Sequence, residues 1–129
     1  PELYTRWVQW GALSPALRTH TTHNAQAERR IWKFPNEFFQ VMRQAFYLRY
    51  ALMPYIYTSA RQAHDLALPV DRPLYYDWPG FDEAYKRTDE FMFGDSILAA
   101  PVAKPRDPQS GAAAVNVWLP PGRWTQATR

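Results

Sequence analysis

The feature that most constrains the fold is a long run of helical apolar spacing between Asn36 and Pro69. Residues there recur at steps of three or four, and further aromatic residues widen the same face: Phe38, Met42, Ala45, Arg49, Leu52 and Ile56, with Phe39, Phe46, Tyr50 and Tyr57. Because the apolar face is so wide, we expect this helix to be buried between other elements. Asn36 is a candidate N-cap, and Pro69 is a natural end point.

Pro54 lies inside this helical pattern. Proline has no N–H to donate, and its ring clashes with the preceding turn, which costs about 3 kcal/mol in a helix interior. The sequence therefore predicts a kink or break near residues 52–53, after which the helix resumes to about Ala67.

A shorter helix is predicted at the start of the chain. Leu3, Trp7 and Trp10 are spaced by four and three residues, which places them on one apolar face, and Gly11 is a natural stop. The short apolar stretch at residues 16–18 predicts a brief strand. Residues 21–30 are polar without apolar periodicity and predict a loop.

The second half of the chain has the pattern of strands and turns. Residues 74–78 are strand-like and precede the turn Pro79-Gly80. Residues 91–94 and 97–102 predict a strand pair with a bend at Gly94, and the alternation over residues 115–119 predicts a half-buried strand. Helices come first and strands follow, so we predict an α+β chain with a boundary near residues 68–72.

Composition excludes several classes of function. The 129 residues contain no cysteine, so disulfides and thiolate metal sites are excluded, while the cellular compartment stays open. The 15 Lys and Arg are scattered among 12 Asp and Glu, which is typical of a mildly basic solvated surface and predicts no nucleic-acid partner. No apolar run approaches the ~18 residues of a membrane span, so no membrane partner is expected. The chain begins with Pro and enters a helical pattern at once, so we expect it to be a part of something longer.

Several sequence blocks carry a more specific signal because of their order. They are residues 3–12 (LYTRWVQWGA), Ser14-Pro15, Arg18-Thr19-His20, residues 49–57 (RYALMPYIY), Arg72-Pro73-Leu74, residues 93–102 (FGDSILAAPV) and residues 119–124 (LPPGRW). In order and approximate spacing, across nearly the whole chain, these blocks resemble glycoside hydrolase family 31. Several independent blocks in the right order are far more specific than any single short motif.

The resemblance implies a fold and an activity. The chain would be an α+β fragment that contains the last βα elements of a (β/α)₈ barrel followed by the start of an antiparallel β-sandwich domain. Residues 1–68 would end the barrel catalytic domain, and residues 69–129 would begin the sandwich. The complete protein would be a retaining, α-glucosidase-like enzyme that hydrolyses α-glycosidic bonds, and this chain would pack against the rest of its own catalytic domain.

The catalytic carboxylates of such an enzyme are not expected in this chain. Retaining glycosidases need two carboxylates about 5–5.5 Å apart, one as nucleophile and one as acid/base. The resemblance implies that two Asp residues play these two roles, in motifs that lie upstream of this chain's first residue. Neither motif occurs in this chain. Asp77, Asp82 and Asp95 lie in or beside the strand region, where turn and capping roles are natural. We therefore assign no catalytic residue and expect the isolated chain to be inactive.

His20 is the residue to which the resemblance assigns substrate binding. The matching Arg-x-His position in the family binds hydroxyls of the sugar being cleaved, and a neutral imidazole donates from one nitrogen and accepts at the other. The alternative is a structural loop His. Arg18 is expected to orient the loop or pair with an acid. His20 and His23 have an H-x-x-H spacing without a third ligand, so no metal and no cofactor are expected.

Two interpretations stay open for the aromatic residues and for the activity. Trp32 and Phe34 either line a sugar cleft or fill the seam between barrel and sandwich. The carbohydrate substrate is an α-glucoside or an α-xyloside, which makes an α-xylosidase of the same family the nearest alternative enzyme. A non-catalytic β-rich sugar-binding or interaction module that uses exposed Trp and Tyr is the alternative from another class.

Overall fold

The computed structural model describes residues 1–21, 23–24 and 26–127. Its elements, in chain order, are α1 (Glu2–Ala12), a 3₁₀ helix (Ile31–Lys33), α2 (Asn36–Ala51), α3 (Met53–Leu66), β1 (Asp71–Pro73), a second 3₁₀ helix (Leu74–Tyr76), α4 (Asp82–Lys86), β2 (Phe91–Phe93) and β3 (Ile97–Ala99). The three long helices therefore precede a small antiparallel sheet, as the sequence predicts, while the second 3₁₀ helix and α4 lie between β1 and β2. Among these residues no helix combines the length and the apolarity that crossing a bilayer requires.

Helix α1 packs along α2 through a face of small and β-branched residues. Val8 and Ala12 of α1 form a buried cluster with Met42 and Ala45 of α2. Half-buried side chains close this cluster at its rim: Tyr4, Ile31, Phe34, Phe38 and Phe46. The contact fixes α1 against α2.

The predicted apolar face of α1 is not the face that it buries. Leu3, Trp7 and Trp10 are 73%, 55% and 40% exposed, because α2 contacts the side that carries Val8 and Ala12. The expectation that the long helix is buried on many sides is also wrong within the described residues. Large side chains of α2 and α3 are exposed there: Val41, Tyr47, Tyr50, Met53 and Tyr57.

Two predicted helix boundaries differ by a residue from the structure. Helix α1 continues through Gly11 to Ala12, and the Leu13 N–H then donates to the Trp10 carbonyl at 2.9 Å. Asn36 is the first residue of α2 and not its cap; its Oδ1 accepts a hydrogen bond from Gln40 Nε2 at 3.0 Å. The amide oxygen therefore supports the first turn from the side.

The predicted break before Pro54 is confirmed. Helix α2 ends at Ala51 and α3 begins at Met53, with Leu52 between them. The Leu52 N–H is shared between the carbonyls of Leu48 and Arg49, which is a tightened last turn. Pro54 then lies in the first turn of α3, where its missing N–H has no helical partner to lose.

Three short strands form one antiparallel sheet in the order β1-β2-β3. Arg72 lies opposite Met92, and Met92 lies opposite Leu98. The predicted strand pair with a bend at Gly94 is confirmed, although β3 ends at Ala99. Gly94 has φ +63°, a left-handed conformation that glycine adopts without the strain of a side chain.

Three predicted strands are absent from the described residues. Residues 16–18 have no ladder partner there, and residues 74–76 form a 3₁₀ helix directly after Pro73. Residues 115–119 also lack a ladder, because the Trp118 N–H donates to the buried carboxylate of Glu90 at 2.8 Å. Trp118 itself packs on the core of Leu74, Ala84 and Met92, so the alternation of valines misidentified the buried side.

Helix α3 is joined to the sheet by an apolar cluster and by one tyrosine. Ile56, Val70 and Phe93 form the buried cluster. The Tyr55 hydroxyl donates to the Phe93 carbonyl at 2.8 Å and accepts from the Ser96 N–H at 2.9 Å. The same hydroxyl thus holds both sides of the bend at Gly94, which connects the helical part to the β part.

Candidate functional site

The segment between α1 and α2 crosses beside α1 and leaves an open groove of about 820 Å³. Residues from α1 form one wall and residues from the segment form the other. The lining residues include Tyr4, Trp7, Trp10, Gly11, Ala16, Leu17, Arg18, Thr19, Gln26, Glu28, Arg29 and Phe34. Aromatic faces beside charged and amide groups are the surfaces that sugar-binding grooves combine.

The first residues of this segment are held by Arg49, in the last turn of α2. Arg49 Nη1 donates to the Ser14 carbonyl at 2.6 Å and lies 3.3 Å from the carbonyls of Gly11 and Ala12. Nη2 donates to the Pro15 carbonyl at 3.0 Å. These carbonyls belong to the end of α1 and the turn after it, where helix geometry leaves acceptors unsatisfied.

The far end of the segment is held by Tyr4. Its hydroxyl donates to the Arg29 carbonyl at 2.7 Å, and the Arg29 guanidinium lies 5.2 Å from the centre of the Tyr4 ring. The Phe34 ring stacks on the Tyr4 ring, with the two centroids 5.1 Å apart. Burial raises the pKa of Tyr4, so the hydroxyl keeps its proton for this hydrogen bond.

His20 lies near the middle of the segment, between these two anchors, and is not among the residues that line the groove, although its neighbours Arg18 and Thr19 are. Its side chain is exposed and contacts no hydrogen-bond partner among residues 1–21, 23–24 and 26–127. An exposed imidazole with both nitrogens available is free to bind a hydroxyl from outside the described chain. A buried or capped His would favour a structural role, and His20 is neither.

The other residues considered from sequence are placed differently. Arg18 lines the groove but forms no ion pair in the described part of the chain, so the expected acid partner is not among those residues. His23 is exposed and lines a second hollow together with Thr21, Asn24 and residues 27–30. Phe34 packs against the α1–α2 core while also lining the groove, whereas Trp32 is 66% exposed and lies outside the groove.

Glu28 was not singled out from the sequence, yet it lines this groove. Its Oε1 accepts hydrogen bonds from the N–H groups of Arg29 and Arg30, and its carboxylate is bridged twice by the Arg30 side chain, at 2.9 and 2.7 Å. These hydrogen bonds, that of the Arg30 side chain first, lower the pKa of Glu28 to about 2. A carboxylate that stays ionised in this way is a poor general acid near neutral pH.

The aspartates of the β part have structural partners. Arg72 is buried and donates from Nη2 to Asp95 Oδ1 at 2.9 Å, to the Gly94 carbonyl at 3.2 Å and to Asp77 Oδ2 at 3.4 Å. Asp82 is the first residue of α4, where its negative charge interacts favourably with the positive end of the helix dipole.

Two further carboxyls have raised pKa values but lie away from the groove. Burial raises the pKa of Asp71 on β1 to about 6, and burial also raises the pKa of Glu90 against the hydrogen bond from Trp118. Neither residue lines the groove. Within the described ranges, no group of three or more His, Asp or Glu side chains is arranged to hold a metal ion.

Family models match both halves of the chain. Residues 1–59 match the glycosyl hydrolases family 31 TIM-barrel domain, and residues 67–129 match the glycosyl hydrolase family 31 C-terminal domain. The chain belongs to glycoside hydrolase family 31. The resemblance carried by the ordered sequence blocks is thereby confirmed.

Family 31 members with known names resemble this chain over most of its length. Neutral alpha-glucosidase C of Mus musculus is 40% identical over 119 residues, which cover 92% of this chain and 13% of that protein. The solved GH31 dextranase of Flavobacterium johnsoniae, complexed with glucose, is 40% identical with a TM-score of 0.74, over 80% of this chain and 12% of that chain. A GH31 alpha-xylosidase from a soil metagenome, complexed with xylose, is 33% identical with a TM-score of 0.66, over 78% of this chain and 17% of that chain. The chain therefore spans about an eighth of the length of the curated relative.

Proposed function

We propose that the complete protein carrying this chain is a retaining α-glycosidase of the α-glucosidase type. The observation that carries the proposal is the 40% identity with neutral alpha-glucosidase C across 92% of the chain, together with family 31 models on both halves. The substrate is a carbohydrate with a terminal α-linked residue, and the reaction passes through a covalent glycosyl-enzyme. No step requires a cofactor, because the two carboxylates supply the nucleophile and the proton.

The architecture proposed for the complete protein follows the two family models. Residues 1–68 end a (β/α)₈ barrel, and residues 69–129 begin an antiparallel β-sandwich. The exposed apolar side chains of α2 and α3 support this arrangement, because Tyr50, Met53 and Tyr57 present a surface that the rest of a barrel would cover. Active sites of such barrels lie on the loops that follow the strands, and the proposal places the segment carrying His20 at that end of the barrel in the complete protein.

The proposed role of His20 is to bind hydroxyls of the sugar residue that is cleaved. Its exposure and its lack of a partner among the described residues support this role. Glu28 is engaged by Arg30, and Asp77 and Asp95 are engaged by Arg72. Asp71 on β1 does not line the groove. The nucleophile and the acid/base would therefore come from the remainder of the catalytic domain.

An α-xylosidase is the second candidate activity. The solved alpha-xylosidase complexed with xylose is 33% identical and shares the fold of this region at a TM-score of 0.66. This identity is lower than the 40% identity with neutral alpha-glucosidase C, which favours the glucosidase. A non-catalytic sugar-binding module has less support, because the first 59 residues match a barrel domain model rather than a module.

Kinetics with paired chromogenic substrates test this proposal. We expect the complete protein to hydrolyse p-nitrophenyl α-glucoside with a kcat/KM at least about tenfold above that for p-nitrophenyl α-xyloside, a difference of about 1.4 kcal/mol in transition-state binding. The purified 129-residue chain serves as the control and should give no turnover, because it lacks both catalytic carboxylates. Preference for the xyloside would support the alternative enzyme. Turnover by the isolated chain, surviving a contamination control, would show that carboxylates within it do the chemistry.

A further inference from the structure

The segment carrying His20 has few attachments of its own. Among the described residues 17–23, no hydrogen bond to the rest of the chain is present. The anchors at its two ends therefore set the geometry of the segment, and the anchor where it leaves α1 is the nearer one to His20 in the sequence. Leu17 packs closely on α1 there, because its Cδ1 lies only 2.6 Å from the position that a Cβ on Gly11 would occupy.

The strongest attachment at that point is made by Arg49. Its two terminal nitrogens contact four carbonyls, those of Gly11, Ala12, Ser14 and Pro15, and the shortest contact is 2.6 Å to Ser14. Charge-assisted hydrogen bonds of this kind are about twice as strong as neutral ones. A planar guanidinium also fixes the relative directions of the carbonyls that it binds.

Arg49 has no competing partner in the described chain. It forms no ion pair with a carboxylate there, and every hydrogen bond that its terminal nitrogens make with the described residues goes to the backbone of this turn. The Ser14 hydroxyl supports the same turn. It donates to the Gly11 carbonyl at 2.8 Å and lies 3.1 Å from the Ala16 carbonyl. The turn at residues 11–16 is thus a rigid base for the segment that follows it.

We infer that Arg49 is a positioning residue for His20. It fixes the turn from which the substrate-binding segment departs and thereby sets where the imidazole meets the sugar, an inference that rests on the function proposed above for His20. A displacement of about 1 Å in a group that contacts the transition state can cost on the order of 100-fold in rate. Arg49 touches no reacting atom itself.

A double-mutant cycle in the complete protein tests this inference. With His20 present, Arg49→Met is expected to lower kcat/KM by roughly 10- to 100-fold, mainly through kcat, because the lost contact is one that strengthens in the transition state. In the His20→Ala background the same substitution should lower kcat/KM by less than about 3-fold, because the group that Arg49 positions is already gone. Arg49→Lys, which keeps the charge but not the fork, should fall between Arg49→Met and the unsubstituted protein.

The controls separate positioning from general stability. Arg43→Met removes an arginine from the same helix whose side chain bonds Tyr47 and Gln40, and it should leave kcat/KM unchanged. Equal losses from Arg49→Met in both backgrounds would overturn the inference while leaving the role of His20 intact. If His20→Ala alone left the kinetics unchanged, the proposed function of His20 would fail, and the inference would fail with it. If Arg49→Met does not fold, the cycle with Arg49→Lys decides by the same criterion.

Discussion

Replacing His20 with alanine in the complete protein is expected to lower kcat/KM for an α-glycoside by roughly 30- to 1000-fold, or about 2–4 kcal/mol of transition-state binding. The side chain is exposed and makes no hydrogen bond within the described residues, so its removal breaks no hydrogen bond among them. The loss should therefore appear in turnover and not in folding.

The size of the effect follows from where the charge develops in the reaction. As the sugar ring approaches an oxocarbenium-like transition state, hydrogen bonds to its hydroxyls become stronger. An interaction that is stronger in the transition state than in the bound substrate accelerates the chemical step, so kcat should fall along with kcat/KM.

His23→Ala is the matched control for His20→Ala. His23 is also exposed, lies three residues further along the same segment and carries no assigned role. Steady-state kinetics and thermal melts on both variants separate the two interpretations. Activity that falls only in proportion to the amount of folded protein would make His20 a structural residue, and unchanged kinetics would remove it from the substrate site.

Gly94→Ala is expected to have the largest effect on stability, about 2–5 kcal/mol in the free energy of unfolding. A left-handed φ of +63° costs a non-glycine residue about 1–2 kcal/mol. The new Cβ would also lie 2.6 Å from Ser59 Oγ and closer still to the Tyr55 hydroxyl, and overpacking of this kind typically costs about 1–3 kcal/mol. The two costs add because they act on different degrees of freedom.

Gly111→Ala provides the matched control for backbone strain alone. Gly111 has φ +68° but no atom within 4 Å of the position of a new Cβ. Urea unfolding of the complete protein, followed by tryptophan fluorescence, should show a clearly smaller loss for Gly111→Ala. In a Tyr55→Phe background, the cost of Gly94→Ala should shrink by about 1 kcal/mol, because the nearest of three close atoms is removed while Tyr55 Cζ at 2.7 Å and Ser59 Oγ at 2.6 Å remain. Equal losses at both glycines would refute the close packing of Tyr55 on the bend.

Features that depend on one residue's backbone chemistry could be predicted from the sequence. The break between α2 and α3 follows from Pro54, and the bend between β2 and β3 follows from Gly94. Both signals act locally, because a missing N–H or a missing Cβ changes the allowed backbone wherever the residue occurs.

Features that depend on the partner of a face could not be predicted. Spacing alone places Leu3, Trp7 and Trp10 on one side of α1, but it cannot say that α2 contacts the side with Val8 and Ala12 instead. The strand predicted from the alternation at residues 115–119 is absent for a related reason. The Trp118 N–H donates to the carboxylate of Glu90 and not to the backbone of a neighbouring strand. Long-range partners override local periodicity in both cases.

The candidate site was predicted only in part. His20 followed from the resemblance to family 31, and its role is a proposal. The sequence did not identify Glu28 as a residue that lines the groove or Arg49 as the residue that holds the turn after α1. A signal for Arg49 was present, since it is a charged residue at an apolar step of the long helical pattern. A charge at such a position needs buried acceptors, and the carbonyls at the end of α1 provide them.

The anomeric form of the first product tests the central claim most directly. Proton NMR of the complete protein acting on p-nitrophenyl α-glucoside distinguishes α-glucose from β-glucose before mutarotation mixes them. A retaining mechanism with a covalent glycosyl-enzyme predicts that α-glucose appears first and that the β-anomer grows in later. Initial release of β-glucose would contradict the account, because it requires a direct displacement by water.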